Sequence, residues 1–215
     1  MAALLASRHV AHTLRVAIDG PDAAGKTSLA DELAGAVRAL GRPVVRVSVD
    51  GFHRPAEERY RRGSLSADGY FLDAFDYDAV RDLVLHPLGP HGDGRYRAAL
   101  FDRRMPAAGP APVRQAPPDA VLLLDGVFLL REELRDCWEL GIVVDVSPEE
   151  SLRRALTRDV ALFGSEAAVR ERYLRRYLPG QELYRAAARP LDIADVVIDN
   201  GNPARPAVLR WPGPA

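Results

Sequence analysis

Short apolar runs alternate with helical periodicities along this chain. Five runs read as buried strands: 14–19 (LRVAID), 43–49 (PVVRVSV), 120–125 (AVLLLD), 140–146 (LGIVVDV) and 194–198 (ADVVI). Between them, apolar residues recur at three- and four-residue spacing and predict helices over 26–40, 76–86, 129–137, 148–158 and 166–188. Apolar strands separated by helices require crossover connections, and the sheet they form is parallel and covered on both faces. Residues 87–118 break the rhythm. They are rich in Pro and Gly, hold one strand-like piece (RYRAALFD, 95–102), and read as an excursion from the sheet, a hairpin, rather than a linker between domains. The tail 200–215 is Pro-rich and reads as irregular, with one short edge strand at 207–211 as an option. No internal repeat occurs.

The boundary between the first strand and the first helix carries the chemistry. Gly20-Pro21-Asp22-Ala23-Ala24-Gly25-Lys26-Thr27 satisfies G-x-x-x-x-G-K-[ST] at every fixed position. The two glycines let the backbone curl with its N–H groups inward, and with the helix N-terminus they form an anion nest. Lys26 adds a positive charge for the β- and γ-phosphates, and the Thr27 hydroxyl is placed to ligate Mg²⁺. The nucleotide-binding set is thus Gly20, Pro21, Asp22, Ala23, Ala24, Gly25, Lys26, Thr27 and Ser28. Within it Asp22 has no individual role, nor does the preceding Asp19, and Ser28 is a bystander in the first helical turn.

Composition narrows the setting. The chain has 215 residues, 47% of them hydrophobic, which suits one well-cored domain. Its net charge of -1 favours neither nucleic acid nor a membrane surface as a partner. The single cysteine, Cys137, excludes an internal disulfide framework and a Cys-rich metal site. The opening apolar stretch is interrupted early by Arg8, His9 and His12, and no later segment is long enough to span a bilayer. A soluble cytoplasmic protein is expected.

Two further carboxylates stand at strand ends. Asp125 closes VLLLD, where it either holds Mg²⁺ as a Walker-B acid or caps the following turn. Asp50 closes the second strand in SVDGFHRP. Ligands of open α/β sheets collect at the carboxyl ends of strands. There Asp50 can accept the proton of an attacking hydroxyl, or simply form an Asp–Gly turn. Arg172 and Arg176, four residues apart on one helical face with Arg175 close by, either close over phosphate or form a solvated charged face with Glu166 and Glu171.

IDGPDAAGKTSLA, SVDGFHRP, YFLDAFDYDAV, VLLLDGVFLL, LRRALTRD and ADVVIDN, in this order, resemble the uridine kinase and phosphoribulokinase group of P-loop kinases over nearly the whole chain. The resemblance implies a nucleoside-monophosphate-kinase-like three-layer fold with a five-stranded parallel sheet and a helical lid. It implies transfer of the γ-phosphate of ATP to a hydroxyl of a small molecule. By motif, Asp50 falls on the general base, Phe52 and His53 on acceptor-contacting aromatics, Asp125 on the Walker-B acid and Arg158 on the lid arginine. Tyr70 stands near the position of a ribose-binding Asp, just before Asp73-Ala74-Phe75-Asp76. Phe101-Asp102 aligns with a Tyr-Asp pair, and Met105-Pro106 replaces the histidine that reads a pyrimidine. ALFGSE (161–166) replaces an Arg-Gly-Arg lid. Gln181 and Tyr184 follow on the lid-side helix, within reach of the acceptor or merely packed. The group often forms homo-oligomers, although no exposed apolar stripe here demands one.

The expected protein is one P-loop kinase domain spanning 1–215, with 87–118 as an acceptor-side insertion and 158–185 as the lid. ATP and Mg²⁺ are its cofactors, and its acceptor is a nucleoside or related ribose-like metabolite. Pantothenate or a sugar is the alternative acceptor. An NTP-hydrolysing switch without an acceptor is the competing class.

Overall fold

Leu14–Asp19 (β1) is buried at all six positions, which places it mid-sheet, as its unbroken apolar run requires. A computed structural model describes residues 1–101 and 109–213 of the chain. In chain order it contains Ala2–Ser7 (α1), β1, Lys26–Ala39 (α2), Val44–Ser48 (β2), Ala56–Arg59 (α3), Ala67–Asp73 (α4) and Tyr77–Val80 (α5). A small hairpin follows, Arg95–Tyr96 (β3) with Arg114–Gln115 (β4), then Val121–Asp125 (β5), Glu132–Arg135 (α6), Leu140–Asp145 (β6), Pro148–Arg158 (α7) and Val160–Phe163 (α8). Glu166–Arg172 (α9), Leu178–Ala188 (α10), Pro190–Ile193 (α11), Val196–Asp199 (β7) and Ala207–Arg210 (β8) complete it.

The main sheet has the order β2-β5-β1-β6-β7-β8. The first five strands are parallel, as the strand–helix alternation predicts. The five parallel strands are those expected, and β8, at the place offered for a short edge strand, adds a sixth antiparallel to β7. Each face of the sheet carries its own apolar layer. Leu14, Val16, Ile18, Val121 and Leu123 meet Leu33, Ala34 and Val37 of α2 on one side. Val45, Val47, Leu122 and Leu124 meet Phe128, Tyr70 and Tyr184 on the other.

Several predicted helices are shorter or interrupted. The 166–188 pattern divides into α9 and α10 around a wide π-type turn, Tyr173–Tyr177. Pro179 has no N–H to offer the carbonyl four residues back, so the helix widens just ahead of it. A second wide turn, Arg81–Leu85, precedes Pro87 for the same reason. The 129–137 pattern yields only α6, since Phe128, Leu129 and Leu130 all point into the core. Of the described residues 95–101, only Arg95 and Tyr96 pair as a strand, and Phe101 makes an isolated bridge to Pro110. Trp138 is anchored by its indole N–H on the Leu129 carbonyl, 2.9 Å away, whereas Trp211 is exposed.

Candidate active site

The loop after β1 has the form of an anion cradle. Gly20 sits at φ 148°, and a Cβ there would stand 2.1 Å from the Val144 carbonyl oxygen, so only glycine passes β6 at this point. Gly25 at φ 97° is the residue before α2, which starts without a side-chain cap and leaves its first-turn N–H groups for a ligand. Ala23, at φ 58°, is a non-glycine residue held in the left-handed region within this loop. The Lys26 ammonium curls back onto the Pro21 carbonyl at 2.6 Å. Burial pulls its pKa below that of an ordinary lysine, while Asp22, Asp19, Asp50 and Asp125 all act to raise it.

Parallel pairing sets the far wall. Asp125 is level with Ile18 of β1 and Ser48 of β2, so it emerges at the edge where the loop begins. Its Oδ2 accepts the Thr27 hydroxyl at 2.7 Å. Arg46 Nη1 lies 3.0 Å from Oδ1, close enough for an ion pair but off the hydrogen-bond direction, so Oδ1 is buried without a hydrogen bond. A hydroxyl and a carboxylate with an unsatisfied oxygen are hard donors that suit Mg²⁺, which is commonly held by a few protein oxygens together with substrate phosphates. Among the described residues no group of three His, Cys, Asp or Glu side chains could hold a metal ion.

Asp50 lies two residues beyond Ser48 at that edge, exposed, in a tight turn (Val49–Phe52) where Ser48 Oγ accepts its N–H at 3.4 Å. Its charge acts to raise the Lys26 pKa. The flanking residues are arranged differently. Phe52 is fully buried in the core. The His53 ring stacks on Phe75, centroids 4.3 Å apart, with Nδ1 3.0 Å from the Asp50 carbonyl oxygen. A cavity of about 360 Å³ borders Gly51 and is lined by Arg46, Ser48, Phe101 and Arg114. Phe101 stands exposed at this cavity, and Asp102 lies outside the described residues, as do Arg103, Arg104, Met105 and Pro106.

The remaining candidates cluster around the loop's acids. Tyr70 is buried and donates to Asp22, and Gln181 Nε2 reaches the same carboxylate at 3.4 Å. Tyr184, also buried, donates to Asp19, whose pKa burial pushes up against the bonds from Tyr184, Gly20 N–H and Leu130 N–H. Asp73 is buried beneath Arg61 and Arg62, at 2.5 and 2.7 Å. Arg158 is held by Asp159 at 2.6 Å, and the Tyr173 hydroxyl donates to that carboxylate at 3.0 Å. Arg172 lies over the Phe163 ring. Arg176 is buried between Tyr60 and Tyr70, donating to the Ser66 carbonyl at 3.1 Å. Thus Arg172 and Arg176 are packed into different surroundings rather than forming one exposed face. On the other side of the loop, a second cavity of about 620 Å³ is lined by Ser28, Arg154, Arg158, Asn200 and Pro206 among others.

The model of the phosphoribulokinase / uridine kinase family matches residues 16–203. The chain belongs to this family. A uridine kinase from Chlamydia pneumoniae is 24% identical over 190 residues, covering 87% of this chain and 81% of that protein. A structure described as a possible uridine kinase from Bacillus stearothermophilus aligns with a TM-score of 0.67 at 20% identity, covering 91% of this chain and 94% of that one. The D-glycerate 3-kinase of Cryptococcus neoformans aligns with a TM-score of 0.60 at 14% identity, over 87% of each chain. These two structural likenesses share the fold: a P-loop kinase with a mostly parallel sheet.

Within this kinase fold, three site residues escaped sequence reasoning. Arg46 was a signal in plain view, a charge inside the apolar strand PVVRVSV. Arg154 reaches the carbonyls of Ala23 at 3.3 Å and Asn200 at 2.5 Å, bracing the loop from α7. It lies one helical turn before Arg158, which was the available hint. Asn200 donates to the Ala24 carbonyl at 2.7 Å, and nothing local to IDN announces that contact. Among the described residues no helix is long and apolar enough to cross a membrane.

Proposed function

We propose that the protein transfers the γ-phosphate of ATP to a hydroxyl group of a small-molecule acceptor. In this reading the N–H groups of residues 20–28 bind the phosphates, and the Lys26 ammonium turns from Pro21 to the β- and γ-oxygens. Thr27 and Asp125 hold Mg²⁺, which supplies charge neutralisation across the β- and γ-phosphates when bound. Asp50 orients the acceptor hydroxyl and takes its proton as the oxygen attacks, and the proton leaves on the carboxylate. Arg158, at the start of the 158–185 lid, neutralises charge on the transferring group. Positioning carries most of this chemistry, so Asp50 needs no unusual acidity.

The observation that supports the reading is that Asp125 is level with Ile18 and Ser48, with the loop of Lys26 following β1, Asp50 two residues beyond Ser48, and Thr27 bonded to Asp125. The acceptor in this reading is a nucleoside or related ribose-like metabolite, in line with the uridine kinase from Chlamydia pneumoniae. One observation favours another small alcohol, such as a sugar or pantothenate. By the motif resemblance Tyr70 lies near the position of a ribose-binding acid, and its hydroxyl donates to Asp22. The test is ADP release from ATP across a metabolite panel. One added alcohol is expected to raise turnover, and Asp50→Asn to cut that turnover by about 10²–10⁴ with ATP binding retained. Turnover indifferent to every metabolite indicates a switch instead, and full activity of the variant removes Asp50 as the base.

A further inference from the structure

β2 carries one guanidinium, and its partners form a line of charge. Arg46 Nε and Nη2 both donate to one Asp31 oxygen on α2, at 3.0 and 2.9 Å. Nη1 turns the other way, donates to the Leu123 carbonyl at 2.8 Å and stands 3.0 Å from Asp125 Oδ1. The sequence of charges is therefore Asp31, Arg46, Asp125, and it ends on the carboxylate whose second oxygen is bonded to Thr27.

We propose that Arg46 is a positioning residue that weakens and orients Asp125 as a cation ligand, with Asp31 setting how strongly the guanidinium acts on it. The proposal rests on the reading of Thr27 and Asp125 as the Mg²⁺ site. Asp125 is almost fully buried, and a buried carboxylate needs a compensating charge. Arg46 supplies one without a cation by standing against Oδ1, while Oδ2 accepts the Thr27 hydroxyl. When a divalent cation binds, two positive groups share one carboxylate and repel each other. Arg46 is tied to Asp31 and to the Leu123 carbonyl, so it stays and the repulsion persists. Cation affinity is held down, and the metal–nucleotide product leaves more readily, a step that limits many kinase-like turnovers.

Substitutions at Arg46 and at Asp31 then act with opposite signs. Arg46→Met removes the competing charge and tightens the cation site. Asp31→Asn removes the acid that draws the guanidinium away, and loosens it. A purely structural Arg46 would make both substitutions loosen the site.

The experiment titrates Mn²⁺ into the full chain saturated with a non-hydrolysable ATP analogue and counts free Mn²⁺ by electron paramagnetic resonance. The expected dissociation constant is about fivefold tighter for Arg46→Met and about twofold weaker for Asp31→Asn. Asp125→Asn is the control for the underlying reading, and unchanged Mn²⁺ binding in that variant removes the metal site itself. If Asp125→Asn weakens binding while Arg46→Met leaves it equal or weaker, the role of Arg46 is overturned. Asp31 is two-thirds exposed, so its variant folds. Should Arg46→Met fail to fold, Arg46→Gln takes its place with the same expected tightening, and equal or weaker binding there overturns the proposal.

Discussion

Tyr70 donates its hydroxyl hydrogen to the Asp22 carboxylate, 2.8 Å from Oδ2 and 3.0 Å from Oδ1. The bond ties α4 to the phosphate loop across 48 residues of sequence. It also fixes where the negative charge of that loop sits. Asp22 is the first of four carboxylates acting on Lys26, and it acts on Tyr173, Tyr177 and Arg158 as well.

Tyr70→Phe deletes this bond while keeping the ring against Phe128 and Tyr177, each with centroids 4.9 Å away. A hydrogen bond to a charged, partly buried acceptor contributes about 1–2 kcal/mol, so the variant should lose about that much stability in urea unfolding with an unchanged slope. Asp22→Asn keeps an acceptor oxygen and should lose less. An unshifted midpoint for Tyr70→Phe contradicts the bond.

Lys26 is the only lysine in the sequence. An acylating reagent followed by peptide mass spectrometry therefore reads one ε-amine. Because Lys26 is buried and bonded to Pro21, it should react slowly in the free protein, and more slowly still with ATP bound. Lys26→Met should abolish measurable phosphoryl transfer. Labelling that ignores ATP contradicts the placement of phosphate at this ammonium.

Acid should destabilise the fold through carboxylates whose pKa values are lowered. The hydrogen bond from Arg61, aided by Arg62, holds Asp73 below the ordinary range against desolvation. At Glu139, burial raises the pKa, but bonds from Arg15 and His12 outweigh it and leave the group below the ordinary range. A group with a depressed folded-state pKa contributes stability above its unfolded value, near pH 4 for carboxylates, and loses that contribution as pH falls through the folded one. Melting temperature should therefore drop below about pH 4. Asp73→Asn should be less stable at neutral pH and show a shallower acid limb. Parallel acid limbs in the two proteins count against the Arg61–Asp73–Arg62 pairing.

The phosphate loop was legible because all its parts are local. Gly20, Gly25, Lys26 and Thr27 lie within eight residues, and the strand and helix around them announce themselves by periodicity. Asp50 and Asp125 were legible one step further out, because parallel strands present their carboxyl ends at one edge. The surroundings of Phe52, Tyr184 and Arg176 were not legible. A motif says which residue type follows a strand but not whether its side chain turns toward ligand or core, and all three turned inward.

The order of apolar runs and the glycine spacing by themselves determined a parallel sheet with a phosphate cradle at its edge, since backbone geometry and strand direction follow from local pattern. Only the tertiary structure decided the partners of the charged groups: Arg46 on Asp125, Tyr70 on Asp22, Arg154 on the loop carbonyls and Tyr184 on Asp19. Those pairings join residues up to 165 positions apart. A side chain chooses among distant partners only after the layers have packed and removed water from between them, because that loss of solvent is what makes an unpaired buried charge costly.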